Sequence, residues 1–342
     1  MSEIAHPAPD GWLKRFFLSL VILALLAGLL LVPWAVCWLT ASGELDQEEV
    51  VARQAQGEFV LFGPGLAQDI MAYKLALYAA VKPEVVVLGS SRAGNVRAAF
   101  FERPFVNMAG AATDLESLRL LVDRMLAVHR PRVVLLGLDF WWLTAGAPAG
   151  RSERIVQPSL LDASTLRAPW CWLVQGRISP ADMLAPLQHR LRADRYGLEA
   201  QLRDTGYGPD GSLYEGAVLD GRRPAPDHAF ARTLRELESG SGVWAGSLAP
   251  DRERLEAFAE ICCRLRSRGI RTIVFLPPLA TPVLGALADR NGGDAGWLSA
   301  LRQGLRANGL PETAVCLIED TTHASANALM TAVGYVDLLI PR

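Results

Sequence analysis

Five short runs of apolar residues alternate with helix-like segments along most of the chain. The runs are Val85–Leu88, Phe105–Met108, Val133–Gly137, Thr272–Leu276 and Val315–Ile318. Each is nearly continuous in its hydrophobicity, which is expected of a strand that is buried on both faces. Strands that alternate with helices are typical of a parallel sheet with helices on both sides. The sequence therefore predicts an α/β fold built on a five-stranded parallel sheet.

Helices are predicted where apolar residues repeat with helical spacing. These segments are Leu66–Ala80, Asp114–Val128, Asp251–Arg268, Trp297–Asn308 and Ser325–Leu339. The stretch from about residue 143 to 249 breaks the alternation and is rich in Arg, Pro, Gly and Asp. We interpret it as an insertion between the third and fourth strands, lying over the edge where such sheets carry their active sites. Tryptophans near its start are candidates for a ligand groove, for the core or for a membrane-facing surface: Trp141, Trp142, Trp170 and Trp172.

The N-terminal region contains an uncharged apolar stretch that is long enough to cross a membrane. Phe16–Leu39 has 24 residues and would extend roughly 36 Å as a helix. Lys14 and Arg15 precede it and acidic residues follow it, so the positive-inside rule places the N-terminus in the cytoplasm. A cleaved signal peptide is the alternative, since Thr40–Gly43 offers small residues to a peptidase. The apolar stretch of a signal peptide is usually shorter, about 7–15 residues.

These features predict a domain organisation and a location. Residues 1–15 form a cytoplasmic tail, 16–40 a transmembrane anchor, 41–81 a stalk with a lead-in helix, and 82–342 the α/β domain with its insertion. We expect a single-pass protein of the bacterial cytoplasmic membrane whose main domain is periplasmic. The net charge of −2 gives no electrostatic case for a nucleic-acid partner. The five cysteines match no zinc-site spacing, and we expect neither a metal nor a cofactor.

Two short motifs bring reactive side chains to the predicted sheet. Ser90 and Ser91 directly follow the first strand, and Asp320 and His323 follow the fifth. Since the carboxyl ends of parallel strands meet at one edge, both motifs are expected at the same edge. A serine, a histidine base and a carboxylate that orients the base are the parts of a Ser-His-Asp site. The residues therefore predict acyl chemistry with Ser91 as nucleophile, His323 as base and Asp320 as its partner.

Each motif also has another interpretation. Ser90 is a rival nucleophile, and both serines fit a turn or a helix cap. Asp320 fits a helix N-cap with an incidental histidine beside it. A metal-dependent hydrolase that uses Asp139, Asp320 and His323 is a further alternative, which the lack of a second histidine nearby in the sequence disfavours.

The order of these motifs resembles the SGNH (GDSL-type) hydrolase superfamily. The resemblance is carried by a Gly-x-Ser after the first strand, an Asn107-containing loop after the second, Gly137-Leu138-Asp139 after the third, and Asp-x-x-His near the end. It covers about residues 82–142 and 270–342. The resemblance implies a flavodoxin-like three-layer sandwich. It also implies an oxyanion hole formed by the Ser91 N–H and a backbone N–H of the loop that contains Asn107, Gly110 and Ala112.

Two positions depart from the family pattern. Ser90 stands where the family usually has an aspartate, and Asp139 stands where the family has an asparagine that donates to the oxyanion. An ionised carboxylate cannot donate a hydrogen bond, and it would repel the developing negative charge. Three alternatives follow: Asp139 points elsewhere, another donor such as Asn107 takes its place, or the site is weak.

An N-terminal anchor joined to such a domain is similar to a subgroup of cell-envelope acylation proteins. This subgroup includes the alginate O-acetylation proteins and the D-alanyl transfer protein of teichoic acid modification. The resemblance implies a serine esterase or O-acyltransferase that acts on an acyl group of an envelope polysaccharide or of an acylated small molecule. It also implies a polytopic membrane-bound O-acyltransferase as partner. The alternative is a non-catalytic, membrane-tethered module that binds polysaccharide or scaffolds an envelope complex.

Overall fold

The helices and strands of the chain are given by a computed structural model. It describes residues 10–66, 70–144, 158–224, 227–245, 250–277 and 279–290, together with 303, 306–307 and 315–316. Helices α1 to α11 are Asp10–Ala41, Gln47–Ala55, Met71–Val81, Leu115–Val128, Ala163–Val174, Pro180–Met183, Leu198–Arg203, Gly216–Leu219, Ala231–Ser239, Arg252–Ser267 and Thr281–Arg290. Strands β1 to β9 are Leu61–Phe62, Val85–Gly89, Phe105–Asn107, Val133–Gly137, Arg195–Tyr196, Thr205–Tyr207, Leu213–Glu215, Arg271–Phe275 and Val315–Cys316.

The central sheet has five strands, and every pair of neighbours in it is parallel. Its spatial order is β3-β2-β4-β8-β9. The register joins Val85 of β2 to Phe105 on one side and to Val133 on the other, and Val133 to Arg271 of β8. The alternation of apolar runs and helical patterns in the sequence therefore correctly predicts a mixed α/β fold with a parallel sheet.

Alternate residues of these strands enter two separate hydrophobic clusters. Val86 and Val134 point into the larger cluster, which α3, α4 and α10 cover. Val87 and Leu135 point into the smaller one, which includes Val96 of the segment that follows β2. Two predicted helices, Trp297–Asn308 and Ser325–Leu339, lie largely or wholly outside the described residues.

Side-chain caps set where two of the covering helices begin. The Asp114 carboxylate accepts a hydrogen bond from the Ser117 N–H at 2.9 Å, one turn inside α4. The Asp251 carboxylate accepts one from the Arg254 N–H at 3.1 Å at the start of α10. Each cap satisfies an N–H group that has no partner within its own helix. Both helices thus begin within one residue of the boundary that the sequence predicts.

A second, smaller sheet joins the insertion to the segment ahead of the first central strand. Its order is β5-β1-β6-β7; β1 pairs parallel with β5 and antiparallel with β6. These strands have only two or three residues each, too few to show an alternation of apolar and polar residues. The sequence analysis therefore does not predict this sheet.

Residues 41–81, which the sequence analysis interprets as a stalk with a lead-in helix, are packed against the domain. Val50 of α2, Val60 and Tyr78 of α3 belong to the larger hydrophobic cluster. The Gln54 side chain donates hydrogen bonds to the carbonyls of Val60, at 2.9 Å, and of Tyr207, at 3.0 Å. These contacts make the segment part of the core rather than a free stalk.

The N-terminal helix α1 contains an apolar stretch, Trp12–Ala41, that is long enough to cross a membrane. Its length and composition fit a membrane span or a signal sequence. Exposure changes along its length: Trp12 is 71% and Leu30 72% exposed, whereas Trp38 and Leu39 are fully buried. The last turns of α1 are therefore part of the folded domain.

Candidate functional site

The serine turn begins where β2 passes close to β4. Gly89 has φ +134°, and a Cβ atom at this position would lie 2.4 Å from the Gly137 carbonyl oxygen. Glycine is required here because any side chain would clash with the neighbouring strand. The Ser90 hydroxyl accepts a hydrogen bond from the Arg92 N–H at 3.2 Å, and Ser91 opens a 3-10 turn with its side chain exposed. The Ser90 side chain is thus the cap of the turn, whereas the Ser91 side chain is exposed.

The loop after β3 is fastened to this turn by Asn107, which is fully buried. Its amide nitrogen donates to the carbonyls of Ala93 at 2.9 Å, Gly94 at 3.2 Å and Val96 at 2.9 Å. Its amide oxygen accepts from the Ala109 N–H at 2.8 Å. The side chain that the sequence analysis offers as an oxyanion donor is therefore engaged in holding the two loops together.

Gly110 and Ala112 lie farther along the same loop. Gly110 has φ +85°, and a Cβ atom there would lie 4.0 Å from the Ser91 Cα, so this backbone passes directly beside the serine. The Gly110 N–H donates to the Gly89 carbonyl at 2.8 Å and is already used. Within the described part of the chain, neither the Ser91 nor the Ala112 N–H donates a hydrogen bond. Ala112 itself is 1% exposed and belongs to the larger hydrophobic cluster.

Asp139 forms a buried ion pair with the arginine that follows Ser91. Its side chain is 0% exposed, and its Oδ1 accepts a hydrogen bond from Arg92 Nη1 at 2.8 Å. Arg92 Nη2 donates to the Pro277 carbonyl after β8, also at 2.8 Å. Burial raises the pKa of Asp139, and the nearby Arg92 charge opposes that rise. The carboxylate therefore faces a guanidinium at the sheet edge.

An aromatic cluster lies next to this ion pair. The Arg92 guanidinium carbon is 5.3 Å from the centroid of the half-buried Trp141 ring. Trp141 in turn contacts Phe140 and Trp244, with ring centroids 5.1 and 5.9 Å apart. Trp244 belongs to the insertion, so the insertion reaches the sheet edge. Trp142, by contrast, is in the core and is 1% exposed.

A buried lysine of α3 connects the loop after β3 to the insertion. Lys74 of α3 is fully buried, and its Nζ donates to the Asn107 carbonyl at 2.9 Å and to the Gly211 carbonyl. The Nζ atom lies 4.2 Å from the centroid of the Tyr207 ring. Burial lowers the pKa of Lys74 to about 7. Sequence reasoning misses this residue because a lysine on an amphipathic helix is ordinarily solvent-exposed.

The predicted base and its partner, His323 and Asp320, lie outside the described residues. The structure describes the strand that precedes them: Cys316 ends β9 and pairs with Phe275 of the parallel strand β8. The carboxyl end of β9 is therefore on the same side of the sheet as Ser91. Among the described residues, no group of three or more His, Cys, Asp or Glu side chains is arranged to hold a metal ion.

Comparisons with known proteins give this chain no family. No family model matches it, and no solved structure matches it. A segment of 45 residues is 47% identical to a segment of gamma-glutamyl phosphate reductase from Streptococcus pneumoniae (strain Hungary19A-6). This segment is 13% of the present chain and 11% of that enzyme, so the chain spans about a tenth of the relative's length.

Proposed function

We propose that the chain is a membrane-anchored, extracytoplasmic serine esterase or O-acyltransferase that works through an acyl-Ser91 intermediate. The observation that carries this proposal is the position of Ser91. Its side chain is exposed at the carboxyl edge of the parallel sheet, in a turn whose N–H is unpaired among the described residues. The Ala112 N–H, on the loop beside it, is unpaired in the same sense. A nucleophile beside preorganised backbone donors is the arrangement that acyl transfer requires.

The proposed reaction has two halves. His323, oriented by Asp320, takes the proton of the Ser91 hydroxyl as Ser91 Oγ bonds to the ester carbonyl carbon. The carbonyl electron pair moves to the oxygen, which the Ser91 and Ala112 N–H groups stabilise. The intermediate then expels the alcohol, which receives the proton from His323, and leaves acyl-Ser91. Water or a sugar hydroxyl attacks next, and the same proton movements release the serine.

The fold we propose for this site is a flavodoxin-like, SGNH-like sandwich. In order along the chain, the central strands occupy positions second-first-third-fourth-fifth across the sheet, the order of flavodoxin-like folds. Ligands of such sheets bind beyond the carboxyl ends of the strands. The serine turn, the loop after β3 and the Arg92–Asp139 pair are all found at that edge.

We propose that α1 anchors the protein in the bacterial cytoplasmic membrane, with the N-terminus inside and the domain in the periplasm. An uncleaved anchor is favoured over a signal peptide because cleavage near Thr40–Gly43 would remove Trp38 and Leu39, which are fully buried against the domain. Lys14 and Arg15 on the N-terminal side support the orientation.

The substrate we propose is an acyl group on an envelope polysaccharide, or an acylated small molecule that serves as donor. Trp141 offers a half-exposed ring next to Arg92 at the sheet edge, and an aromatic ring with a neighbouring charge suits the apolar face and the hydroxyls of a sugar. A polytopic membrane O-acyltransferase remains the proposed partner. The alternative function, a non-catalytic polysaccharide-binding or scaffold module, would use the same aromatic surface without the serine chemistry.

The test is covalent labelling of the full-length protein in native membranes with a fluorophosphonate, followed by peptide mapping. An activated serine displaces fluoride and becomes phosphonylated, so we expect an adduct on Ser91. Ser91→Ala should abolish it, and His323→Ala should reduce it strongly. The matched variant Ser90→Ala should keep it, since Ser90 serves as a cap. A folded protein that shows no adduct would favour the binding module, and an adduct on Ser90 would overturn the assignment of the nucleophile.

A further inference from the structure

The burial pattern of α1 sets where the membrane ends along this helix. Described side chains from Phe16 to Val32 are exposed, apart from the half-exposed Gly28. From Trp34 onward the helix turns into the domain, with Ala35 fully buried. The 17 residues from Phe16 to Val32 extend about 26 Å as a helix, close to the roughly 30 Å of a bilayer's hydrocarbon core. All of the exposed stretch is therefore needed to cross the membrane.

Helix α5 of the insertion packs against α1 at this boundary. The Trp170 indole N–H donates to the Leu31 carbonyl at 3.3 Å, at the outer end of the exposed stretch. Two turns farther along α1, the Trp38 ring packs edge-on against Trp172 with centroids 5.7 Å apart. Trp38 also donates its indole N–H to the Asp182 carbonyl at 3.2 Å. These contacts fix α5 at the height where α1 leaves the membrane.

The surface of the insertion at this level carries exposed apolar side chains beside polar ones. Leu161, just before α5, is 95% exposed, and Val174, its last residue, is 88% exposed. Arg167, also exposed, lies on the same helix between them. Exposed apolar side chains together with tryptophan and arginine are the composition of elements that lie in the membrane interface.

We propose that α5 and the residues that flank it, 160–174, form a membrane-contacting surface that inserts into the interface of the outer leaflet. The lipid bilayer is the occupant that the structure favours, because this surface continues directly from the exposed stretch of α1. Leu161 and Val174 would enter the boundary between headgroups and acyl chains, and Arg167 would pair with lipid phosphates. The insertion, tied to the catalytic edge through Trp244, would then hold that edge at a fixed height above the membrane.

The test places an environment-sensitive fluorescent amino acid at single positions of the full-length protein in lipid nanodiscs, by amber suppression. Quenching by lipids that carry a spin label near the headgroup reports contact with the interface. We expect probes at Leu161 and Val174 to shift to shorter emission wavelengths and to lose most of their emission to the quencher. The matched control is Leu219 of α8, which is 74% exposed and should show neither effect. A probe at Leu23, within the exposed stretch of α1, should respond to a quencher placed deep in the acyl chains.

Three outcomes separate the explanations. Quenching at Leu161 and Val174 but not at Leu219 supports the proposal. Unquenched probes at Leu161 and Val174, with Leu23 in lipid, would overturn it and leave the surface to a protein partner. An aqueous probe at Leu23 would also overturn it, by removing the anchor on which it rests. All of these results are independent of whether Ser91 reacts with a fluorophosphonate, so the proposed chemistry is tested separately.

Discussion

Arg92 connects three of the loops at the candidate site. It lies on the serine turn, pairs with Asp139 after β4 and donates to the Pro277 carbonyl after β8. The other oxygen of Asp139, Oδ2, has no hydrogen-bond partner among the described residues. The Ser90 hydroxyl also stabilises the ionised form of this fully buried carboxylate, and Arg92 is its counter-charge. The ion pair thus holds the serine turn in place, and loss of Arg92 would leave a buried negative charge unpaired.

Arg92→Ala should destabilise the protein by about 3 kcal/mol near neutral pH, because it leaves a buried carboxylate without its counter-charge. Burial already raises the pKa of Asp139 above 3.8 in the folded state, so stability falls as the pH rises from that value through the folded-state pKa. Without Arg92 the folded-state pKa rises further, and the loss extends to higher pH. Urea unfolding in detergent should therefore show a deficit that grows as the pH rises above 3.8.

The matched control for this experiment is the double variant Arg92→Ala/Asp139→Asn. A neutral amide needs no counter-charge, so the double variant should lose less stability near neutral pH than the single variant and should show no growing deficit. A deficit in Arg92→Ala that does not change with pH would contradict the ion-pair explanation and would point to lost packing against Trp141.

Lys74→Met should destabilise the protein by about 2 kcal/mol, because two buried carbonyls, of Asn107 and Gly211, lose their donor. The folded-state pKa of Lys74 is lowered to about 7, from an ordinary value of 10.5. Between these values the unfolded chain binds a proton that the folded protein does not, so the wild type gains stability as the pH rises. The methionine variant lacks this gain. Urea unfolding at about pH 7 and about pH 9 should show a widening difference, and a constant one would be incompatible with a buried, titrating lysine.

At the level of secondary structure, the last turns of α1 act as a core helix. Trp38 is fully buried in a hydrophobic cluster with residues of the insertion. Trp12 of the same helix is 71% exposed. Trp38→Ala should cost about 3–5 kcal/mol, as expected for a tryptophan removed from a packed interior. Trp12→Ala is the matched control and should leave the unfolding free energy nearly unchanged. Thermal unfolding of the full-length protein in one detergent measures both variants. If Trp38→Ala had as small an effect as Trp12→Ala, the last turns of α1 would not be part of the fold.

The elements of this fold differ in how much of them the sequence predicts. The central strands are readable because burial on both faces produces continuous apolar runs, and Val133–Gly137 is predicted with its observed bounds. The packing of the last turns of α1 against the domain is not predicted, because lipid and a protein core both select apolar residues. The second sheet is held by backbone pairing between short segments far apart in the sequence, such as Phe62 and Tyr207. Side-chain periodicity carries no record of such pairing.

The site follows the same division. The exposed Ser91 at the end of β2 is predicted, because a buried strand that runs into a serine turn is a local pattern. The engagement of Asn107 with the carbonyls of Ala93 and Val96 is not, because it depends on how two loops meet in space. Asp139 is identified as unusual from the sequence, but its pairing with Arg92 emerges only once β2 and β4 are neighbours. Asp320 and His323 stay predictions.

At the scale of the whole molecule, the two adjacent cysteines of α10 provide a test of the proposed orientation. Cys263 is exposed, whereas Cys262 is buried, and burial raises the pKa of its thiol to about 12. Only the thiolate reacts with a maleimide at an appreciable rate. If the domain is periplasmic, a membrane-impermeant maleimide added to intact spheroplasts should modify Cys263 and spare Cys262. Peptide fragmentation by mass spectrometry distinguishes the two positions.

Cys263→Ser should remove this adduct, and unfolding in denaturant should make Cys262 reactive in both the variant and the wild type. Modification of Cys263 only after the spheroplasts are lysed would place the domain in the cytoplasm and reverse the orientation of α1. Reaction of Cys262 in the native protein would instead mean that α10 does not cover the central sheet as described. Because the two thiols are neighbours on one helix, a single experiment reads both the topology of the chain in the membrane and the packing of its core.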